Sequence, residues 1–201
     1  MSAKGSVVES IYAAIKTEVS SGDLMPGHRV DIADLCARFR VSKSPIRNIL
    51  NRLVGEALLE THAHDGFFRP WLTEQSLRDL YRWSQEILLL AIDRAGARLD
   101  AAATAAQPTD MTDATERLFE ELARQGGNAE YVRAMADVNA RLRPIRRRKP
   151  ASLFDTQGEL AAFHLAIKDD DLSALRALIA AYHQRRLDLI AQIVTAAYRP
   201  N

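Results

Sequence analysis

The stretch Cys36–Glu60, CARFRVSKSPIRNILNRLVGEALLE, carries five cationic side chains between Arg38 and Arg52 and no acid. The whole chain is nearly neutral, +1 over 201 residues. Any attraction to a polyanion must therefore come from a local patch such as this one. A charge run on a helix is often only its solvated face, so the reading of these residues depends on what flanks them.

Upstream, Val7, Val8, Ile11, Ile15 and Val19 recur at helical spacing, and Gly22, Pro26 and Gly27 in SGDLMPG end that helix in a turn. A short helix is expected at about Ile32–Phe39 with Asp31 as its N-cap. A further helix is expected near Pro45–Glu56, where Ile46, Ile49, Leu50, Leu53 and Val54 form one apolar stripe. Beyond Glu56 the period shortens: ALLETHA and GFFRPWL are β-prone segments separated by HDG, a hairpin signal. Helix, helix, turn, helix and hairpin predict a winged helix-turn-helix over residues 1–72, with Pro70 and the polar TEQS marking its end.

From Thr73 onward the pattern is helical throughout, predicting an all-helical bundle over 73–201 and a mainly α protein. One long helix is expected from Thr73 to about 103. Others are expected at about Asp113–Gln125, Ala129–Arg147, Leu153–Lys168 and Leu172–Tyr198. Hydrophobic residues are 47% and charged residues 26%, the balance of a soluble globular chain. The single cysteine, Cys36, excludes an internal disulfide and reads as a buried structural thiol. The N-terminus lacks the apolar core of a signal peptide, and the longest apolar run, ILLLAI, is too short to span a bilayer, so a cytoplasmic protein is expected. The sequence shows no nucleophile with a base, no phosphate loop and no metal-spaced His pair, so no enzyme and no cofactor is expected.

The segment VSKSPIRN has the chemistry that a groove-reading helix needs. Ser42 and Ser44 can cap the helix or bond phosphate, and Pro45 suits a first turn. Lys43 and Arg47 lie four apart, opposite the apolar stripe. Arg47 can bond guanine O6 and N7 bidentately, whereas Lys43 acts as a point charge. Arg38 and Arg40, just before the turn, are placed to hold the phosphate backbone.

These residues carry a family resemblance. SGDLMPGHRVDIADLCARFRVSKSPIRNILNRLVGEALLE resembles the DNA-binding domain of GntR-type bacterial transcription regulators, whose pattern runs G-x-L-x-P-G and later V-S-R-x-P-V-R-x-A-L-x-x-L-x-x-x-G-L. The resemblance implies that Ser42, Lys43, Ser44 and Arg47 contact DNA and that the wing tip at Asp65 and Gly66 approaches the minor groove. Lys43 stands where the family usually has Arg, Asn48 replaces Glu, and Ala57 replaces Gly.

The helical half resembles the all-helical effector (FCD-type) domain of the FadR-like branch. Many members of that branch hold a divalent metal with one Asp and three His. In this register those positions are Thr115, Phe119, Leu160 and Tyr182, with His183 one step away, so no metal is expected. His183 is expected to point off the site, and His164 shares the same helix pair. The effector pocket, if kept, is expected along Ser84, Thr115, Phe119, Leu160 and Tyr182, with Ser84 and Leu88 in place of the usual Arg and Glu. A second basic run, Arg141–Pro150, reads as a solvated helix end.

The expected function is a DNA-binding transcription regulator, a homodimer on a palindromic double-stranded operator, controlled through the helical domain by a small-molecule effector or partner. The alternative is a helical interaction protein that keeps the winged fold and no longer senses a ligand.

Overall fold

The computed structural model describes residues 3–21, 23–62, 66–96, 99, 110–148 and 154–199, with side chains described from residue 7 onward. The N-terminal part is a winged helix-turn-helix built from α1 (Ala3–Ser21), α2 (Ile32–Phe39), α3 (Lys43–Gly55), β1 (Glu60–His62) and β2 (Gly66–Phe68). The helical part contains α4 (Glu74–Ala95), α5 (Met111–Gln125), α6 (Ala129–Arg148), α7 (Thr156–Lys168), α8 (Leu172–Asp188) and α9 (Ile190–Ala197).

Local chemistry explains most boundaries. Asp31 caps α2, its carboxylate accepting from the N–H groups of Ala33 and Asp34. The helix ends at Arg40, which adopts a left-handed conformation (φ 53°) and donates its N–H to the Cys36 carbonyl. α3 starts two residues earlier than the sequence suggests, because Pro45 fits its first turn, where a missing N–H costs nothing. A capping box joins Thr73 and Ser76 at the start of α4.

Two expected helices are shorter than their sequence patterns. α4 stops at Ala95 instead of running on to about 103: Gly96, at φ 66°, donates its N–H to Ile92 and turns the chain. The final helix breaks at Leu189, with no Gly or Pro to announce it. The break lets α9 pack against both α4 and α6.

β1 and β2 pair antiparallel, with Thr61 opposite Phe67. The turn before α2 adds an edge to this ribbon, since Val30 donates to the Phe67 carbonyl and Arg69 to the His28 carbonyl. Ile15, Leu35, Ile46, Leu50, Leu53 and Phe67 belong to one buried apolar cluster. A second cluster fills the bundle around Leu77, Ile87, Phe119, Val138, Phe163 and Ile179. Each fully buried Leu or Ile contributes about 1.5–3 kcal/mol relative to exposure. Cys36 is only half-buried at the edge of the first cluster, not fully buried as expected. Among the described residues no helix is long and apolar enough to cross a membrane.

Candidate nucleic-acid interface

Packing of the apolar stripe orients α3. Ile46, Ile49, Leu50 and Leu53 are buried, so Lys43, Ser44 and Arg47 face solvent on the opposite side. Ser42 is the N-cap residue, with extended backbone, yet its hydroxyl makes no capping bond. The start of α3 thus offers an exposed hydroxyl beside a helix N-terminus, an arrangement that suits a phosphate group.

The five cations of the opening stretch divide into two sets. Arg38 is held by Glu18 at 2.7 Å and Asp34 at 3.1 Å, which raises its pKa further through hydrogen bonds to both carboxylates. Arg52 bonds Glu9 at 3.0 Å and lies over the Tyr12 ring, 3.5 Å from its centroid. These two fasten α1 to α2 and α3. Among the described residues no carboxylate pairs with Arg40, Lys43 or Arg47.

Arg29 joins this second set, although nothing in the helical periodicity singles it out. Arg29, Lys43 and Arg47 line one cleft of about 510 Å³ beside the start of α2. Arg29 is also bridged to Phe68 on β2, and its Nε lies 3.1 Å from where a Cβ on Gly66 would sit. Gly66 itself has φ 103°, which explains the need for glycine there. The turn carrying Arg29 and the start of α3 therefore present their cations together. Asp65, expected at the wing tip, lies outside the described residues.

A cationic helix face beside a two-stranded wing is one observation; the sequence match is another. Residues 7–68 match the family described as bacterial regulatory proteins, gntR family. The similarity to this family thus covers residues 7–68. A stretch of 74 residues is 40% identical to the Nta operon transcriptional regulator of Aminobacter aminovorans, covering 35% of each chain. A longer match, 27% over 118 residues, covers 55% of this chain and 54% of the HTH-type transcriptional repressor GlaR of Escherichia coli. The chain thus spans between about a third and a half of the curated relatives it matches. The fold is similar along nearly all of the chain to a solved GntR transcriptional regulator of Rhodococcus sp. RHA1, with TM-score 0.78 at 19% identity, covering 96% of this chain and 100% of that one. It is also similar to E. coli McbR/YncC, with TM-score 0.70 at 18% identity, covering 92% and 97%.

Inside the bundle, Ser84, Thr115, Phe119, Leu160 and Tyr182 are all buried. Phe119 lies at the centre, with Tyr182 at 5.1 Å, His183 at 5.9 Å and Phe163 at 6.0 Å between ring centroids. His183 does not point off the site as the helical register suggests. It is buried beside Phe119: Nδ1–H donates to the Ile179 carbonyl at 2.7 Å, and Nε2 accepts from the Ser84 hydroxyl at 3.1 Å. Burial pushes its pKa down to about 3, so the ring is neutral. The Thr115 hydroxyl donates to the Met111 carbonyl, and Phe119 and Leu160 carry no donor atom, so these residues do not suit a divalent metal. Among the described residues no three His, Cys, Asp or Glu side chains gather into a metal-holding group. His164 bonds the Leu160 carbonyl through Nδ1.

The second basic run is not a solvated helix end. Arg146 is buried beside Glu116, bonds Asn139 Oδ1 at 2.9 Å and lies near Phe119. Arg143 pairs with Asp113 and Glu116, and Arg147 with Asp110. Burial outweighs Arg146 and Arg143 and pushes the Glu116 carboxyl up to about 7. These partners lie on or just before α5, so α6 turns its cations inward toward a helix that the linear pattern cannot place beside it. A cleft of about 520 Å³, lined by Thr115, Arg146, Phe154, Gln157 and Tyr182, opens next to this cluster.

Proposed function

We propose that the chain is a transcription regulator that binds a palindromic double-stranded operator as a homodimer. The observation that carries this is the α3 face, where Lys43 and Arg47 stand exposed beside Arg29 and Gly66 of the wing region with no carboxylate pairing them. Ser42, Lys43, Ser44 and Arg47 contact the duplex, Arg47 reading a guanine edge and Lys43 a phosphate. Arg29 and Arg40 serve the backbone. Arg38, engaged by Glu18 and Asp34, acts as a brace.

One winged domain reads too few base pairs for useful specificity, hence the two-fold arrangement. Trp83 and Leu90 lie seven residues apart on one face of α4, 45% and 49% exposed, and support a helical face that a second copy covers. The helical domain, residues 73–201, exerts control by shifting the separation of the two recognition helices. The protein works in the cytoplasm.

The filled aromatic interior around Phe119 favours a second reading for the helical domain, an interaction module with no ligand in its centre. Selection of bound duplexes from a random library, followed by gel shift with Arg47→Ala, tests the main reading. Selected half-sites in inverted repeat, with binding lost in the variant, are expected; undiminished binding would overturn it. Sedimentation of Trp83→Lys tests the dimer face, and an unchanged dimer would overturn that assignment.

A further inference from the structure

The buried arginines of this molecule differ in one respect. Arg186 is paired with Glu159 at 2.5 Å, and Arg146 lies 3.5 Å from Glu116. Arg69 is more than nine-tenths buried and has no carboxylate at all among the described residues. One of its nitrogens, Nη1, donates to the Val19 carbonyl, and the rest of the guanidinium has no partner among the described residues. A buried charge without a counter-ion is costly, several kcal/mol by general experience.

Arg69 does not face packed protein. It lines a cavity of about 130 Å³ at the junction of the winged and helical parts. The turn before α2 contributes Leu24 and Pro26, the chain after α3 contributes Leu58, α4 contributes Leu80, and α6 contributes Arg141, Ile145 and Arg148. Trp71 forms another wall. Three guanidiniums therefore border an apolar space, and no Asp or Glu is among its lining residues. Arg148 donates to the carbonyls of Ala197 and Arg199. Burial, and then the charge of Arg148, holds the Arg69 guanidinium down at about 10, so it is still cationic at neutral pH.

We propose that this junction cavity binds a small organic anion, its carboxylate on Arg69 and its apolar body against Trp71, Leu80 and Ile145. The volume is close to the roughly 150 Å³ of an apolar cavity that accepts benzene, so the body is about one ring or its aliphatic equivalent. The site differs from the bundle interior, where aromatic side chains occupy the centre and each buried arginine has its acid. Its walls come from both parts of the chain, so occupancy fixes their relative orientation. That regulatory consequence rests on the DNA-binding reading; the binding itself does not.

The test uses the chain without substitution, and Trp71→Phe is the control that removes the tryptophan lining the cavity. Benzoate is titrated while tryptophan fluorescence and the thermal midpoint are followed, with benzamide and inorganic phosphate as controls. Benzoate is expected to give a saturable signal and a raised midpoint in the range of about 0.1–5 mM, fitting a ligand of that size. Arg69→Gln is expected to weaken it about tenfold or more, since it removes the charged partner. An equal response to benzamide would overturn the charge recognition, an equal response to phosphate would overturn the apolar recognition, and no response to benzoate would overturn the site. Should Arg69→Gln fail to fold, the benzoate–benzamide comparison on the unsubstituted Arg69 protein decides alone. Duplex binding is measured in parallel: intact duplex binding without a benzoate response rejects only the junction site, and the converse rejects only the DNA reading.

Discussion

The Ser84 hydroxyl and His183 Nε2 meet at 3.1 Å in the middle of the bundle, 99 residues apart in the chain. Both are fully buried, and the Nδ1–H bond to Ile179 fixes the tautomer that lets Nε2 accept. This pair makes the bundle interior sensitive to acid. The folded-state pKa of His183, about 3, lies below the ordinary value of 6.5. The unfolded chain therefore takes up a proton that the folded chain refuses, and stability falls as pH drops from about 6.5 toward 3. Glu116, pushed up to about 7, works in the opposite sense: its contribution weakens as pH rises from about 4.5 to 7. The informative quantity is a difference. Ser84→Ala with His183→Phe removes both hydrogen-bonding partners while keeping a ring, and its urea midpoint is expected to lose the acid slope between pH 6 and pH 3.5. An unchanged slope would show that His183 is not the group responsible.

On duplexes obtained by selection, Arg47→Ala is expected to cost about 1–3 kcal/mol and to relax preference at one base position in each half-site. Lys43→Ala should weaken all sequences alike and reduce the slope of log K against log salt by about one. Arg38→Ala, which removes only the brace to Glu18 and Asp34, should leave affinity within about twofold. Fluorescence anisotropy at several salt concentrations separates the three.

Ala57 occupies a left-handed conformation, φ 55°, in the turn after α3. An L-residue with a Cβ carries about 1–2 kcal/mol of strain there, whereas glycine does not. Glycine loses part of that gain through its freer unfolded chain, about 0.4–1 kcal/mol. Ala57→Gly is thus expected to stabilise by roughly 0.5–1 kcal/mol, read as a raised urea midpoint at constant slope. A lowered midpoint would contradict this account.

The Arg186–Glu159 pair is buried on both sides, and Arg186 also lies 3.4 Å from the Tyr182 ring centroid. Removing one partner leaves an uncompensated charge, so Glu159→Gln is expected to cost about 3–5 kcal/mol. Replacing both, as Arg186→Met with Glu159→Leu, should recover most of that loss. A double-mutant cycle in urea checks the coupling; additive effects would refute it.

How much of this was legible beforehand differs between the two halves. The order of elements in the winged domain followed from residues that act locally. Asp31 caps, Pro45 starts, Gly66 turns, and the Ile46–Leu53 stripe decides which side of α3 is dry. The side chains at Lys43 and Arg47 face solvent because their neighbours three and four residues away are apolar, which is information carried within one helix. Arg38 was expected, with Arg40, to hold the phosphate backbone, yet it is engaged by Glu18, twenty residues upstream on α1. Nothing in the linear pattern states that α1 crosses there. Arg29 was missed for the matching reason, because only the pairing of its turn with β2 brings it beside Lys43 and Arg47 on α3.

In the helical domain Ser84, Thr115, Phe119, Leu160 and Tyr182 were placed by the register of the family resemblance, and all five are buried; the fate of the charges was not legible. Arg146 lies within a run that reads as a solvated helix end, and it and Arg186 are both interior because Glu116 and Glu159 face them from other helices. His183 was expected to point off the site and instead packs against Phe119, since two adjacent positions on one helix can both be buried when neighbours flank it. The sequence by itself determined the fold class, the order of the elements and the cationic face of α3, because helix period, caps and turns are short-range properties. Tertiary structure alone decided which cations are free, which are neutralised and which, like Arg69, are buried without a counter-ion. Charge pairing acts across a few ångströms of space, whatever the distance along the chain.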